Sequence, residues 1–250
     1  MGTLVLLRHG QSTWNLENLF TGWHDVPLSE QGVKEAREAG QLMHAAGLAP
    51  AVVHTSLLIR AIQTSDVALA EMGRTWIPVR RSWRLNERHY GALQGLNKKE
   101  TAERYGEDEV KVWRRSYDVR PPALEAKDQR HPSHDPRYAG MPPELLPGAE
   151  CLKDVLERML PYWYDAIVPD LLREQCVLVS AHGNSLRALV KHLDHLTEQQ
   201  VVDLDIPTGV PLVYELNDDF TPRSSKYLGD PKEIERRAAA VRNQASQSAR

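Results

Sequence analysis

With 250 residues, 41% hydrophobic and 26% charged, the chain has the composition of an ordinary soluble globular protein, long enough for one large α/β domain or two small ones. A formal net charge of −3 supplies no global basic field for nucleic acid, so an anionic ligand has to be met by local arginines. No apolar run is long enough for a membrane span, the N-terminal run is too short for a secretory signal, and Cys151 and Cys176 make no disulfide framework; together these predict a cytoplasmic protein.

The first predicted element is a strand over residues 4–7 that ends abruptly in Arg8-His9-Gly10. A continuous apolar run suits a parallel strand buried on both faces, and sites in α/β folds sit at the C-terminal ends of such strands. Neutral imidazole can act as a nucleophile, and Arg8 offers a planar fork for phosphate oxygens. Gly10 removes a side chain beside His9, which lets a ligand approach the backbone. Residues 11–23 read as a loop with a short helical turn. In it Ser12, Asn15, Thr21 and the N–H of Gly22 either meet a ligand or satisfy their own backbone. Ser29 is a plausible N-cap for a helix that ends near Gly47. A strand over residues 51–55 follows, then a helix from Ser56 with Arg60 in its first turn. A cation opposes the helix dipole there unless that N-terminus binds an anion. Pro78 places a short strand over residues 76–79 near a sheet edge. Glu87 beside Arg88 reads either as a surface pair or, since aromatic and glycine residues rather than a polar helix face follow it, as a carboxyl for proton transfer, which needs a pKa raised toward neutrality.

Residues 97–105 and 107–115 read as helices carrying Lys98, Arg114 and Arg115. Residues 119–148 are proline-rich and irregular, either a site wall or an oligomer contact. His131 and His134 lie in that stretch without a recognised ligand pattern around them, and no metal is expected. An apolar stripe from Leu152 to Trp163 marks an amphipathic helix that Pro161 and Pro169 should kink or break. Residues 176–181 repeat the opening pattern, an apolar strand that ends in His182-Gly183. A helix over residues 185–193, a turn over 206–211, a strand over 212–216 and a short one over 226–228 complete the body. His192 and His195 read as surface residues on one helix. No linker separates the two His-Gly strands, so residues 1–230 are expected to form one domain with an excursion at about 97–148, and residues 231–250 a mobile tail with Ile234, Ala238 and Val241 on one weak helical face. Two buried strands that both end in His-Gly place two imidazoles at one edge of one sheet, which packing alone does not explain.

Arg8-His9-Gly10-Gln11-Ser12 with His182-Gly183 resembles the histidine phosphatase superfamily. Trp14-Asn15-Leu16-Glu17-Asn18, Phe20-Thr21-Gly22-Trp23, Leu28-Ser29-Glu30-Gln31-Gly32, the stretch from Glu87 to Lys98, and His182-Gly183-Asn184-Ser185-Leu186-Arg187-Ala188 resemble its 2,3-bisphosphoglycerate-dependent phosphoglycerate mutases. These matches are collinear from the first strand to about Gly229. The resemblance implies a three-layer α/β/α fold with a mostly parallel central sheet. It also implies a phosphohistidine at His9, primed by 2,3-bisphosphoglycerate, through which 3-phosphoglycerate and 2-phosphoglycerate are interconverted. It assigns catalysis to His9, Glu87, His182, Arg8 and Arg60, with Glu87 as proton donor and acceptor. Substrate binding falls to Ser12, Asn15, Thr21, Gly22, Arg88, His89, Tyr90, Lys98, Arg114, Arg115, Gly183 and Asn184. No metal is required, a homo-oligomer (dimer or tetramer) is expected, and the C-terminal tail would help close the site. Thr13 stands where Glu or Gln is common, and Leu19 where Arg is common, which reduces local positive charge. A histidine phosphatase that releases phosphate to water, a bisphosphoglycerate synthase on the same phosphohistidine, and a binding module that merely keeps the fold are the alternatives. The basic residues between 97 and 115 favour the mutase over a monophosphatase, which needs fewer contacts to a distal phosphate.

Overall fold

Residues Gly2–Arg8 form strand β1, and every side chain from Leu4 to Leu7 is buried. Alternate side chains point to opposite faces of a strand, so this run feeds two cores. Leu4 and Leu6 pack on one side of the sheet, Val5 and Leu7 on the other. Residues 2–174 and 176–243 are described here, in a computed structural model of the chain.

Strands β2 (Val52–Thr55), β3 (Val79–Arg81), β4 (Cys176–Ala181), β5 (Pro211–Leu216) and β6 (Pro222–Tyr227) join β1 in one sheet of order β3-β2-β4-β1-β5-β6. β3, β2, β4 and β1 pair in parallel, while β5 is antiparallel to both β1 and β6. Helices α1 (Thr13–Leu16), α2 (Glu30–Ala45) and α3 (Ile59–Glu71) lie in the first part of the chain. α4 (Lys98–Tyr105) and α5 (Glu107–Arg115) form the excursion. α6 (Leu152–Tyr162), α7 (Val168–Glu174), α8 (Gly183–Leu193), α9 (Glu198–Asp203) and α10 (Pro231–Arg242) complete the set. α2 and α3 cover one face of the sheet through Ala39, Met43, Ala68 and Leu69. α6 and α8 cover the other through Val155, Met159, Leu186 and Leu189. The result is the expected α/β/α sandwich with a mostly parallel sheet. α4 and α5 rest on a small core of their own, made by Phe20, Leu93, Ala102, Val110 and Trp113. No helix among the described residues is long and apolar enough to cross a membrane.

Several boundaries differ from the sequence reading, each for a physical reason. α3 begins at Ile59 rather than Ser56: the Ser56 hydroxyl meets His182, the chain bends at Leu57 and Leu58, and Leu58 keeps extended dihedrals as the N-cap. β3 begins at Val79, after Pro78, whose carbonyl accepts the Val53 N–H before the ladder starts. Pro161 does not break its helix. α6 continues past it and runs through a wider π turn at Trp163–Ile167 into α7, the turn falling just before Pro169. β6 is longer than expected, because its exposed Ser224 and Ser225 sit on an edge strand and give no apolar alternation to read. His192 and His195 do not share a helix, since α8 ends at Leu193 and His195 takes a φ of 51°. Of the segment expected as a mobile tail, Pro231–Arg242 is helix α10, capped by Asp230; residues 244–250 of it lie outside the described residues.

The loop after β1 meets the N-terminus of α2 backbone to backbone. A Cβ on Gly10 would lie 2.2 Å from the Gly32 carbonyl oxygen, and one on Gly32 would lie 2.0 Å from that of Gln11. This packing by itself requires glycine at position 10. Gly32→Ala is expected to lower stability by about 1–3 kcal/mol or more through overpacking, read as a shift in the urea midpoint. An unchanged midpoint would show that the loop yields freely.

Candidate active site

Parallel pairing of β1 with β4 sets Arg8 opposite Ala181, and the His9 N–H donates to the Ala181 carbonyl at 3.0 Å. His9 and His182 are the next residues of their strands, and their rings meet edge to face with centroids 5.0 Å apart. His9 Nδ1 lies 2.7 Å from the Gly10 carbonyl oxygen, which only accepts, so Nδ1 carries the proton and Nε2 keeps a lone pair. Burial pushes the His9 pKa well below 6.5, and Arg60 and Arg8 push it the same way. His9 is a neutral imidazole at physiological pH. His182 is fully buried, with Nε2 2.7 Å from Ser56 Oγ and Nδ1 without a hydrogen bond among the described residues. Its pKa is also held well below 6.5, by burial first and then by Arg60.

Beside His9 opens a cleft lined mostly by polar and charged side chains. Six cationic side chains line it (Arg8, Arg60, Lys98, Arg114, Arg115 and Arg187) against two carboxylates, Glu87 and Asp205. Burial lowers the pKa of Arg60 and of Arg114 to about 10 and that of Arg187 to about 9. Lys98 falls to about 7, through burial and then the nearby Arg114 and Arg8. These groups are buried with more positive than negative charge, an arrangement that an anion relieves. Backbone carbonyls aim several of them: Arg60 donates to Gly22 and His24, and Arg8 to Ile206.

Glu87 sits at the head of the cleft. Its Oε1 accepts from the N–H groups of Arg88 at 2.8 Å and of Asn184 at 3.0 Å, the latter in the first turn of α8. The backbone that carries it is clamped from α6. Arg158 donates to the carbonyls of Arg84, Asn86 and Glu87 and pairs at 2.6 Å with Glu150, which accepts the His89 N–H. The Trp23 indole N–H donates to the Glu87 carbonyl as well.

Of the residues singled out in the sequence, Arg8, His9, Asn15, Thr21, Gly22, Arg60, Glu87, Tyr90, Lys98, Arg114, Arg115, Gly183 and Asn184 line this one cleft. Four do not. His182 is fully buried, with its ring against the edge of His9. The Ser12 hydroxyl caps α1 through the Asn15 N–H, so it is turned to the backbone. Arg88 is fully buried behind Tyr90, with its guanidinium 4.6 Å from the centre of that ring. His89 faces the opposite way, against Trp23, and burial lowers its pKa to about 3. Gly22 contributes its carbonyl to Arg60 rather than only an N–H. Leu19 faces the cleft, so the arginine common at that position is missing from the wall itself. Sequence reasoning gave no role to Arg187, Asp205, Ile206 and Val241, which also line the cleft, or to Ser56, Glu150 and Arg158. Arg187 carried a signal, since it lies in the quoted stretch after His182, and Ser56 was read only as the start of a helix. Asp205 binds Arg115 at 2.6 Å and Arg242 of α10 at 2.9 Å, which ties the excursion to the C-terminal helix.

This geometry defines the class. The family model described as histidine phosphatase superfamily (branch 1) matches residues 4–132, and the chain belongs to that superfamily. Solved structures agree on the fold. A mycobacterial glucosyl-3-phosphoglycerate phosphatase superposes with a TM-score of 0.69 at 23% identity, covering 91% of this chain and 97% of that one. The alpha-ribazole phosphatase from Shigella flexneri gives 0.65 at 19% identity, covering 88% and 94%. Sequence relatives are nearer. A 2,3-bisphosphoglycerate-dependent phosphoglycerate mutase of Thermobifida fusca is 62% identical over 98% of this chain and 99% of its own length. Another, from Nitratidesulfovibrio vulgaris, is 60% identical over 96% of each. Within the superfamily, this chain belongs to the 2,3-bisphosphoglycerate-dependent phosphoglycerate mutase family.

Lys98 makes anion binding depend on pH. With a pKa of about 7 in the free protein it is charged below that pH and neutral above it. The Kd of 3-phosphoglycerate, measured calorimetrically, is expected to weaken by about tenfold between about pH 7 and pH 9, and Lys98→Arg to flatten that dependence. A flat profile in the unmodified protein would place the Lys98 proton elsewhere.

Proposed function

We propose that residues 1–230 work as one catalytic domain that interconverts 3-phosphoglycerate and 2-phosphoglycerate through a phosphohistidine at His9, with 2,3-bisphosphoglycerate as the priming phosphoryl donor. The observation that carries this reading is a buried, neutral His9 with a free Nε2 lone pair, at the head of a cleft whose cations outnumber its carboxylates. The residues present fit a bisphosphorylated acid. Thr21 Oγ1, Arg8 Nε and His182 Nδ1 are buried polar atoms without partners among the described residues, and phosphate oxygens can satisfy a donor at each.

His9 Nε2 attacks phosphorus, a nitrogen–phosphorus bond forms, and the phosphorus–oxygen ester bond breaks with its electron pair leaving on oxygen. Glu87 delivers a proton to that oxygen. In the return direction its carboxylate takes the proton of the attacking substrate hydroxyl, so the carboxyl is restored each cycle. Arg8, Arg60 and His182, with Asn15 and the backbone of Gly183, hold the oxygens of the group in flight, where positioning and electrostatics supply most of the acceleration. Gly183 opens α8, whose N-terminus favours negative charge. Tyr90, Lys98, Arg114, Arg115 and Asn184 hold the carboxylate and the distal phosphate. That grip lets the bound bisphosphate turn over and return its other phosphate to His9.

Incubation with 2,3-bisphosphoglycerate, followed by mass-spectrometric mapping of acid-labile phosphate, is expected to place the label on His9, with donor-stimulated conversion of 3-phosphoglycerate to 2-phosphoglycerate. Label on His9 with phosphate released and no isomerisation would make the protein a phosphatase. Glu87→Gln should slow isomerisation by about 10²–10⁴-fold, measured as kcat in a coupled assay. Because side chains supply the positive charge, EDTA is expected to leave turnover unchanged; activity lost on chelation and restored by a metal would refute that.

A further inference from the structure

The Ser56 hydroxyl lies at the end of β2, away from the cleft lining, fully buried and 2.7 Å from His182 Nε2. It has one other neighbour at hydrogen-bonding distance among the described residues, the Leu58 N–H at 3.1 Å, which can only donate. A serine hydroxyl carries one proton and accepts at its lone pairs. We propose that Ser56 is a positioning residue for phosphoryl transfer. By donating its one proton to His182 Nε2 it keeps the His182 proton on Nδ1, the ring atom left to bind the phosphoryl oxygens. The inference rests on the functional reading above for the identity of those oxygens, but not for the hydrogen-bond count.

That count separates the two arrangements. If His182 carried its proton on Nε2, Ser56 Oγ would accept from both Leu58 and His182. Its own proton would then be buried without an acceptor, and the bare Nδ1 would turn a lone pair toward phosphate oxygens. If Ser56 donates to Nε2, its hydroxyl is satisfied in both directions. The one unpartnered polar atom left on the His182 ring is then Nδ1–H, a donor that a phosphoryl oxygen accepts from. His182 remains neutral either way, because burial and the neighbouring Arg60 oppose its protonation. The imidazole thus contributes a directed donor rather than a charge, and its direction comes from a serine that does not line the cleft. Ser56 can serve this way because α3 begins only at Ile59, after the bend at Leu57 and Leu58. The segment that withholds Ser56 from the helix is the one that delivers it to His182.

The test reads the tautomer directly. Long-range proton–nitrogen spectra of the full-length protein labelled with ring ¹⁵N histidine, with His182→Gln to assign the resonance, are expected to show a protonated Nδ1 and an unprotonated Nε2 on His182. Ser56→Ala should shift the Nε2 resonance and slow His9 phosphorylation by 2,3-bisphosphoglycerate by about 10–100-fold at saturation, with the KM for the donor changed by less than about twofold. Ser56→Thr, which keeps the hydroxyl, should restore both the resonance and most of the rate. A proton on Nε2 in the unmodified protein would overturn the proposal, and so would a folded Ser56→Ala with unchanged resonances and rate. If the alanine variant does not fold, the tautomer of the unmodified protein and the threonine variant still decide. Absence of label on His9 in the unmodified protein would instead count against the mutase reading, because the tautomer is measured without any ligand.

Discussion

The parallel pairing of β1 with β4 is the constraint on which the site depends. It brings two strand ends from opposite parts of the chain side by side, in a register that sets Arg8 beside Ala181 and leaves His9 and His182 as the first residues past the ladder. Both strands are buried on both faces, so a slip of one residue would reverse every side chain between the two cores. The register is therefore held by packing across the whole sheet, and the two rings inherit its precision.

Burial then sets the chemistry. An exposed histidine would be partly protonated near neutral pH, whereas His9 is desolvated and faces Arg8 and Arg60, which keeps Nε2 available as a nucleophile. Charges packed this closely repel one another and lose water, and that cost is tolerated where a ligand supplies the opposite charge. The backbone carries much of the work of holding them. Carbonyls of Gly22, His24 and Ile206 accept from Arg60 and Arg8, so these guanidiniums are aimed without neutralising carboxylates. Glu87 is treated differently. Its own backbone is pinned by the buried Arg158–Glu150 pair, which fixes the carboxyl beside the first turn of α8.

The C-terminal region joins this arrangement through Asp205. Its two carboxylate oxygens bind Arg115 from the excursion and Arg242 from α10, while Val241 lines the cleft. The excursion and the last helix are thereby linked across the mouth of the site, although they meet nowhere in sequence.

Much of this was legible in the amino-acid order, because local chemistry decides it. Two apolar runs that end in His-Gly, the Ser29 cap, the apolar stripe of α6 and the basic residues of α4 and α5 are all patterns within a few neighbouring residues, and the family motifs are contiguous. What the order left open depends on which way a side chain turns once distant segments pack. Gly10 is set by the backbone of Gly32, Ser12 by its own helix cap, and Arg88 and His89 by burial on the far sides of Tyr90 and Trp23. Arg158, Glu150, Asp205 and Ser56 act on the site through partners between 8 and 126 positions away, several of them backbone carbonyls that no motif records. The sequence by itself determined most of the elements, the two strand-end histidines and most of the cations of the cleft, since these follow from residue type and short-range pattern. Tertiary structure alone decided the desolvation of the two histidines, the edge-to-face contact of their rings and the reach of each arginine, because each depends on burial and on atoms brought together only by the folded sheet.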